Sequence, residues 1–234
     1  MNEFSSAIGA ALSMIVTLEA DLVEIVLLSL QVSLSAVAIA SVIALPLGAL
    51  IALQSFPGRR GVVILLNALM GLPPVVVGLL VYLLLSRAGP LGPMGLLFTP
   101  TAMIIAQSII VLPIIAALSR QTIADLHEEY DEHLRSLGCS PLQSVATLLW
   151  DGRFRLLTAI MAGFGRAIAE VGAVIIVGGN IQHATRVMTT TIALETSKGN
   201  LALALGLGLI LVTLALGVNA TALVISDAAR RRYG

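Results

Sequence analysis

The sequence is poor in charged residues, which make up 11% of its 234 residues, whereas soluble domains carry about 25%. Its 13 Lys and Arg balance its 13 Asp and Glu, so the charge gives no reason to expect a nucleic-acid partner. A single cysteine, Cys139, excludes a disulfide within the chain. Hydrophobic residues make up 58% of the sequence and form runs long enough to cross a bilayer, which places the chain in a membrane.

Sequence motifs of nucleotide-binding, hydrolytic and metal-dependent enzymes are also missing. The sequence contains no GxxxxGK[ST] phosphate loop, no GxSxG, no HExxH and no CxxC. His133 and His183 are expected on the aqueous sides without clustered ligands, so no metal site is predicted. We therefore expect that the chain is not an enzyme and holds no cofactor of its own, and that another chain supplies any energy it uses.

The apolar runs predict an all-α membrane protein with about five transmembrane helices. A shorter stretch, residues 4–18, has one apolar helical face and is expected to lie flat at the membrane interface. A sixth span is the alternative interpretation of this stretch. The five predicted spans are residues 25–53, 61–85, 101–119, 156–177 and 201–225.

The basic residues predict the orientation of the chain in a plasma or inner membrane. Arg87, Arg186 and Lys198 fall on one side, and the richer side is expected to be cytoplasmic. An odd number of spans then places the N-terminus outside and the C-terminus in the cytoplasm. The richer side holds nine residues, namely Arg59, Arg60, Arg120, Arg135, Arg153, Arg155, Arg230, Arg231 and Arg232.

Prolines are expected to break three of the spans, because each removes a backbone donor and kinks a helix. They are Pro46 in the first span, Pro73 and Pro74 in the second, and Pro113 in the third. Two interpretations are open: kinked packing, or kinks that open a polar path through the membrane. The sequence has no evident internal repeat, which argues against a transporter built from inverted halves.

A polar segment, residues 131–150, interrupts the apolar chain. We expect a helix over residues 125–137, with acidic side chains in its N-terminal half where they complement the helix dipole. Gly138 is expected to end it in a left-handed conformation, and Ser140 and Pro141 to begin a second helix. That helix has one apolar face, formed by Leu142, Val145, Ala146 and Leu149. The segment either packs on its own membrane domain or docks on a soluble partner.

The order of residues in this segment resembles the EAA motif of permease subunits of ATP-binding cassette (ABC) importers. In that motif, glutamate-alanine-alanine is followed by a glycine and by a short coupling helix that enters a cleft of the ATPase. Glu132 matches the glutamate and Gly138 the glycine. His133 and Leu134 replace the two alanines, and Trp150 stands near the place where a proline often ends the motif.

The resemblance implies a type I ABC importer fold, with one transmembrane domain over residues 1–234 and a cytoplasmic coupling segment over residues 125–151. It assigns coupling to the ATPase to eight residues, namely Glu132, Arg135, Gly138, Cys139, Ser140, Pro141, Leu142 and Val145.

Two later stretches, "GRAIAEVGAVIIVGGNI" (residues 165–181) and "TRVMTTTIALETSKG" (residues 185–199), look like the molybdate, tungstate and sulfate branch of these permeases. Within that branch, the sequence is most similar to the tungstate permease subunits. The family implies a homodimer of permeases in the lipid membrane, two ATPase subunits that bind ATP and Mg, and a periplasmic or extracellular oxyanion-binding protein.

Tungstate import is therefore expected, with molybdate, sulfate or thiosulfate as alternatives, because tungstate and molybdate have nearly the same size and charge. A stand-alone secondary transporter is a second interpretation, but it needs intramembrane carboxylates or histidines for ion coupling, and only Glu170 qualifies. A non-transporting scaffold that recruits a soluble protein is a third interpretation, against which the polar residues of the later spans argue.

Charged and polar side chains mark a candidate ion path. Arg166 and Glu170 lie four residues apart in the predicted fourth span, as an ion pair that fixes packing or as a counter-charge for an oxyanion. Gln107 and Ser108 are expected to add polar lining from the third span. Hydroxyl and backbone donors suit an oxyanion, although a capped hairpin is the alternative after the fourth span. The further candidates there are Asn180, Thr185, Arg186, Thr189, Thr190 and Thr191.

Overall fold

The computed structural model describes residue 9 and residues 20–233, and this part of the chain is helical without any strand, as predicted. The predicted interfacial helix over residues 4–18 lies outside the described residues, apart from Gly9. The helices are α1 (Ala20–Leu53), α2 (Arg59–Met70), α3 (Pro74–Leu85), a 3₁₀ turn (Gly92–Met94), α4 (Pro100–Ser136), α5 (Pro141–Asp151), α6 (Arg153–Ile168), α7 (Gly172–Gly178), α8 (Met188–Ser197) and α9 (Leu201–Tyr233).

Three of the described helices, α1, α4 and α9, are each long and apolar enough to cross a membrane. The pairs α2–α3 and α6–α7 meet that test only together, and they are bent by 98° and 59°. The five predicted spans are therefore matched if each bent pair is counted as one span. The bend of 98° confirms the predicted break of the second span at Pro73 and Pro74. Pro73 and Pro74 explain it, because Pro74 begins α3 at the position where a missing backbone donor costs nothing.

The other two prolines do not break their helices, contrary to the expectation from the sequence. Pro46 lies inside α1 and Pro113 inside α4, and both helices continue past them. Close packing of the two helices holds them together, since Pro113 is buried and the Ser119 hydroxyl donates to the carbonyl of Leu45, 3.1 Å away. The fourth predicted span instead breaks at residues 169–171, where there is no proline.

The acidic segment over residues 125–137 is the last third of α4 and not a separate helix, which corrects a second expectation. Its carboxylates therefore lie towards the C-terminal end of a helix, where the dipole does not favour them. Basic neighbours offset this effect. Asp131 accepts from Arg135 Nε at 3.0 Å, and its other oxygen lies 2.9 Å from Arg135 Nη2.

The most extensive helix–helix contact in the described part of the chain is between α1 and α4. Small residues recur every fourth position on the buried side of α1, which allows two backbones to approach closely in a membrane. At Gly48 an added Cβ atom would lie 2.6 Å from the carbonyl oxygen of Ala116 and 2.8 Å from the backbone nitrogen of Arg120. The repeated small residues are Ala36, Ala40, Ala44, Gly48 and Ala52, all buried.

Replacing Gly48 by alanine should therefore destabilise the protein, by about 1–3 kcal/mol as in other overpacked cores. The contact is with backbone atoms, which cannot move without separating the two helices. Thermal unfolding of the detergent-purified chain measures the effect. Gly61→Ala in α2 is the matched control, because no atom outside its own helix neighbourhood lies within 4 Å of an added Cβ. An unchanged midpoint for Gly48→Ala would contradict the proposed contact.

Candidate functional site

The turn between α4 and α5 is closed by a Schellman motif. Gly138 adopts a φ of 66°, its N–H donates to the carbonyl of Arg135 at 3.0 Å, and the N–H of Cys139 donates to Leu134 at 3.1 Å. These two bonds satisfy carbonyls that the end of the helix would leave without partners. The left-handed glycine predicted from the sequence is confirmed.

The start of α5 is fixed by a capping box. The Ser140 hydroxyl accepts from the N–H of Gln143 at 3.4 Å, and the Gln143 side chain accepts from the N–H of Ser140 at 2.8 Å. Pro141 occupies the first turn, as predicted. The two motifs together hold α5 at a defined angle to α4.

One face of α5 packs against the core through Val145 and Leu148, beside Ala49 of α1 and Ile123 and Leu126 of α4. The apolar face predicted from the sequence is divided between a buried and an exposed part. Leu142 and Ala146 are exposed, Leu149 is half-buried, and Ser144 and Leu148 are buried instead. The polar side chain of Ser144 can be buried because its hydroxyl donates to the carbonyl of Ser140 at 3.2 Å.

The other side of the segment exposes large apolar side chains. Leu137, Leu142 and Trp150 are 79%, 74% and 72% exposed. Arg153 stacks on the Trp150 ring, with its guanidinium carbon 4.8 Å from the ring centroid. Of the predicted coupling residues, Val145 is buried and Cys139 half-buried, and the others are exposed, namely Glu132, Arg135, Gly138, Ser140, Pro141 and Leu142. Apolar side chains exposed on a helix that is fixed from behind are typical of a docking surface.

Glu170 lies in the break between α6 and α7, with its side chain only 3% exposed. One carboxylate oxygen is paired with Nη1 of Arg166, and the other accepts from the N–H of Ala173 at 3.1 Å, in the first turn of α7. The carbonyl of Glu170 accepts from the Thr189 hydroxyl at 2.9 Å. One acidic residue thus joins α6, α7 and α8, while the side chain of Arg166 keeps 31% exposure.

The four threonines of the candidate path are buried. The hydroxyl of Thr185 donates to the carbonyl of Gly178, and that of Thr189 to Glu170. Those of Thr190 and Thr191 both donate to Val187, at 3.0 Å and 2.8 Å. Because a hydroxyl has one proton, none of the four has a donor left for an anion in this arrangement.

Arg186 and Asn180 differ from the threonines. Nη2 of Arg186 lies 3.5 Å from the Asn180 carbonyl, but its Nε and the Asn180 side-chain oxygen are buried without a hydrogen-bond partner in the described part of the chain. Arg186 also lines a cavity of about 30 Å³, together with Asp21, Glu24, Ile25, Gln182, His183 and Ala184. Arg186 therefore has hydrogen-bonding capacity to spare within the described residues.

A second polar cavity lies between α1, α4 and the start of α8. Gln107, only 4% exposed, donates from Nε2 to the carbonyl of Ala167 at 3.1 Å, while its Oε1 has no partner among the described residues. The cavity measures about 10 Å³, enough for one water molecule, and Ser29, Ser33 and Thr189 also line it. The sequence indicated Gln107 but not the two serines, which lie four residues apart on α1. Ser108, the other predicted lining residue, donates to the carbonyl of Ile104 at 2.8 Å.

His183 lies beside two acids, contrary to the expectation that it has no clustered ligands. Its Nδ1 lies 2.8 Å from an oxygen of Glu24, and one ligand atom each from Asp21, Glu24 and His183 lie within 4.8 Å of one another. The sequence could not indicate this cluster, because some 160 residues separate His183 from the acids. The hydrogen bond to Glu24 and the charge of that carboxylate raise the pKa of His183 above 6.5.

Residues 44–232 match the family described as binding-protein-dependent transport system inner membrane component. A probable anion ABC transporter permease of Haloferax volcanii is 39% identical over 218 residues, which cover 91% of this chain and 94% of that protein. The tungstate uptake system permease TupB of Peptoclostridium acidaminophilum is 40% identical over 200 residues, covering 86% and 88%. The sulfate transport system permease CysW of Escherichia coli K12 is 28% identical over 181 residues, covering 74% and 62%.

Glu24→Gln should move the pKa of His183 back towards 6.5, because it removes the carboxylate that stabilises the imidazolium. In the unchanged protein, the raised pKa means that this pair stabilises the fold below pH 6.5 and that the stabilisation is lost as the pH rises through the folded-state pKa. NMR titration of labelled histidines in micelles measures both, with His133→Asn as an assignment control. Equal pKa values with and without Glu24 would contradict the ion pair.

Proposed function

The chain belongs to the family of inner-membrane components of binding-protein-dependent transport systems, and we propose that it is the permease subunit of an ATP-driven tungstate importer. The observation that carries the substrate is the similarity to a tungstate permease along most of the chain, set against a weaker similarity to a sulfate permease. Molybdate is the alternative substrate, because its size and charge nearly equal those of tungstate.

Membership of this family implies partners, since the transport it describes depends on a substrate-binding protein and its ABC permeases work with an ATPase. We propose that two copies of this chain form the membrane part. ATP and Mg are then bound by the ATPase, and the oxyanion is delivered by the binding protein outside the membrane. The permease itself catalyses no reaction.

We infer that α5 and the turn before it dock on the ATPase. The support is physical: the exposed side chains of Leu137, Leu142 and Trp150 offer an apolar contact surface, and the Schellman motif and capping box fix its direction. The buried face of α5 packs on the ends of α1 and α4, so a displacement of α5 moves those helices with it.

The orientation in the membrane follows from this docking. An ATPase that uses cellular ATP lies in the cytoplasm, so α5 and the end of α4 that carries it must face the cytoplasm. The C-terminal arginines of α9 then lie on the cytoplasmic side too, as the distribution of basic residues predicts. The loop that carries His183 and Arg186 faces outwards, towards the binding protein.

For the ion path, we propose that Arg166 and Arg186 supply positive charge at two depths. Part of the Arg166 side chain is accessible, while Glu170 balances its charge, which limits how tightly a passing anion binds. Arg186 has an unpartnered Nε within the described structure and lies on the loop that ends at α8. The four buried threonines hold the backbone around these arginines.

Proteoliposomes that contain the permease, the ATPase and the binding protein should take up tungstate only with ATP on the ATPase side. We expect excess molybdate to compete, and excess sulfate to leave tungstate uptake nearly unchanged. Uptake driven by an ion gradient without ATP would contradict the proposal in favour of a secondary transporter. No uptake of any oxyanion, with the complex assembled, would contradict it in favour of a scaffold.

With the same purified components, Leu142→Ser should raise the dissociation constant of the ATPase for the permease by roughly tenfold or more, as loss of a buried apolar anchor does at other interfaces. Leu142 is 74% exposed, so the substitution leaves the fold intact. Met94→Ser is the matched control, since Met94 is 61% exposed and lies in the 3₁₀ turn before α4, at the opposite end of that helix from α5. Normal ATPase binding by Leu142→Ser, or an equal loss in the control, would contradict docking through α5.

The path role of Arg166 is tested by the double variant Arg166→Gln with Glu170→Gln. Arg166→Gln alone leaves the buried carboxylate of Glu170 unpaired, which is strongly destabilising. In the double variant the side chain at position 170 is uncharged, and its oxygen can still accept from the N–H of Ala173. We expect the double variant to fold and bind its ATPase but to lose at least about tenfold in tungstate uptake.

Glu195→Gln with Lys198→Gln is the control, because it removes another ion pair, 2.8 Å long, at the end of α8. Near-normal uptake by the Arg166 and Glu170 double variant would leave that pair with a purely structural role. Arg186 would then be the remaining charged candidate for the path.

A further inference from the structure

A basic groove lies where the chain turns from α1 into α2. It measures about 370 Å³ and is lined by Arg59, Arg60, Val63, Ile64 and Arg120. An adjoining groove of about 360 Å³ shares Arg59 and Arg60 and is completed by Ser55, Phe56 and Gly58. Neither groove has an Asp or Glu among its lining residues, so three positive charges surround one open space.

Arg59 is held in place by the backbone and not by an acid. Its Nε donates to the carbonyl of Ile51 at 2.8 Å, and its Nη2 to that of Ala52 at 2.7 Å. These carbonyls belong to the last turn of α1, where no partner within the helix remains for them. A guanidinium has five N–H groups, so three are left to bind a ligand, and their direction is already fixed.

Arg60 and Arg120 have no acid within 4.0 Å and no side-chain hydrogen bond within the described structure. They come from different helices, and Arg120 is carried by α4 at its closest approach to α1. Three unneutralised cations around one groove repel one another, and a bound anion would remove that repulsion. The groove therefore favours a negatively charged ligand.

The rest of the groove is apolar. Val63 is half-buried and Ile64 is 68% exposed, and both lie on α2, which belongs to a bent candidate span. A free phosphate would gain nothing from these side chains. A ligand with both a phosphate and hydrocarbon chains matches the whole surface, and basic pockets between helices at the cytoplasmic interface bind such lipid headgroups.

We propose that Arg59, Arg60 and Arg120 bind the phosphate-bearing headgroup of an anionic phospholipid, whose acyl chains lie along Val63 and Ile64. The assignment to the cytoplasmic leaflet rests on the proposed function, since the end of α1 beside the groove also packs on α5. Lipid binding itself does not depend on transport. A bound lipid would join α2 to the closely packed α1 and α4.

The test is native mass spectrometry of the full-length permease without its ATPase, titrated with phosphatidylglycerol and separately with phosphatidylcholine. We expect one tightly bound phosphatidylglycerol and no comparable phosphatidylcholine. The double variant Arg60→Gln with Arg120→Gln should bind phosphatidylglycerol roughly 30-fold more weakly, because each basic residue near an anionic surface contributes about fivefold and two are lost. Arg59 is left unchanged because it also caps α1.

Two further variants keep the test decisive. Arg60→Lys with Arg120→Lys retains both charges and should retain most of the binding. Arg155→Gln with Arg231→Gln removes two exposed arginines elsewhere and should leave binding within about twofold, because neither lines the groove. Thermal unfolding checks that each variant is folded.

Unchanged binding in the Arg60 and Arg120 glutamine variant, or an equal loss in the Arg155 and Arg231 control, would overturn the proposal. Equal binding of phosphatidylcholine would indicate an apolar surface only, and tight binding of inorganic phosphate alone would indicate a free-anion site. Both would also overturn it. No ATPase or tungstate is present in this experiment, so a failure to bind phosphatidylglycerol would not contradict the proposed transport function. Conversely, lipid binding by a permease that does not transport would still support the lipid site.

Discussion

The close approach of α1 to α4 is the constraint on which the rest of the structure depends. In a membrane, lipid tails are as apolar as the side chains, so helices associate mainly through close packing and hydrogen bonds between them. The small residues on α1, with Gly48 at the tightest point, provide that packing. The same contact keeps helices with internal prolines continuous, and at one end it provides the surface on which α5 is seated.

The break between α6 and α7 shows how a charge is placed inside an apolar bundle. Glu170 is buried, but each carboxylate oxygen has a partner, one from Arg166 and one from the backbone at the start of α7. Its carbonyl, freed by the break, accepts from Thr189. The ion pair therefore has a structural role that does not exclude a role in transport, since Arg166 is still partly accessible.

The sequence predicted the local features well, because they depend on neighbouring residues. Gly138, Ser140 and Pro141 define a helix end and a helix start through bonds that span five residues at most, and the apolar runs located every candidate span. The continuity of α4 was missed, because hydropathy falls after Ser119 although no helix breaker occurs before Gly138.

The burial of the threonines and the cluster around His183 were missed for a different reason. The bond from Thr189 to the carbonyl of Glu170 and the contact of His183 with Glu24 join separate parts of the fold that only packing brings together. Thr190 and Thr191 instead donate to Val187 one turn before them, a bond that a hydropathy pattern does not reveal. The bend of 98° at Pro73 and Pro74 lies between these cases, since the prolines predicted a break but not its angle.

The unbroken course of α4 has a mechanical consequence. Its 37 residues make a rod about 55 Å long at 1.5 Å per residue, nearly twice the roughly 30 Å thickness of the hydrocarbon core. About 25 Å of the rod therefore extends beyond the hydrocarbon core, and α5 is attached at the end that carries the acidic segment. A rotation of roughly 5° about one end would displace the other by about 5 Å, close to one helical turn. Motion at the end next to α5 thus reaches the far end of the rod, beside α7, without a break in the helix between them.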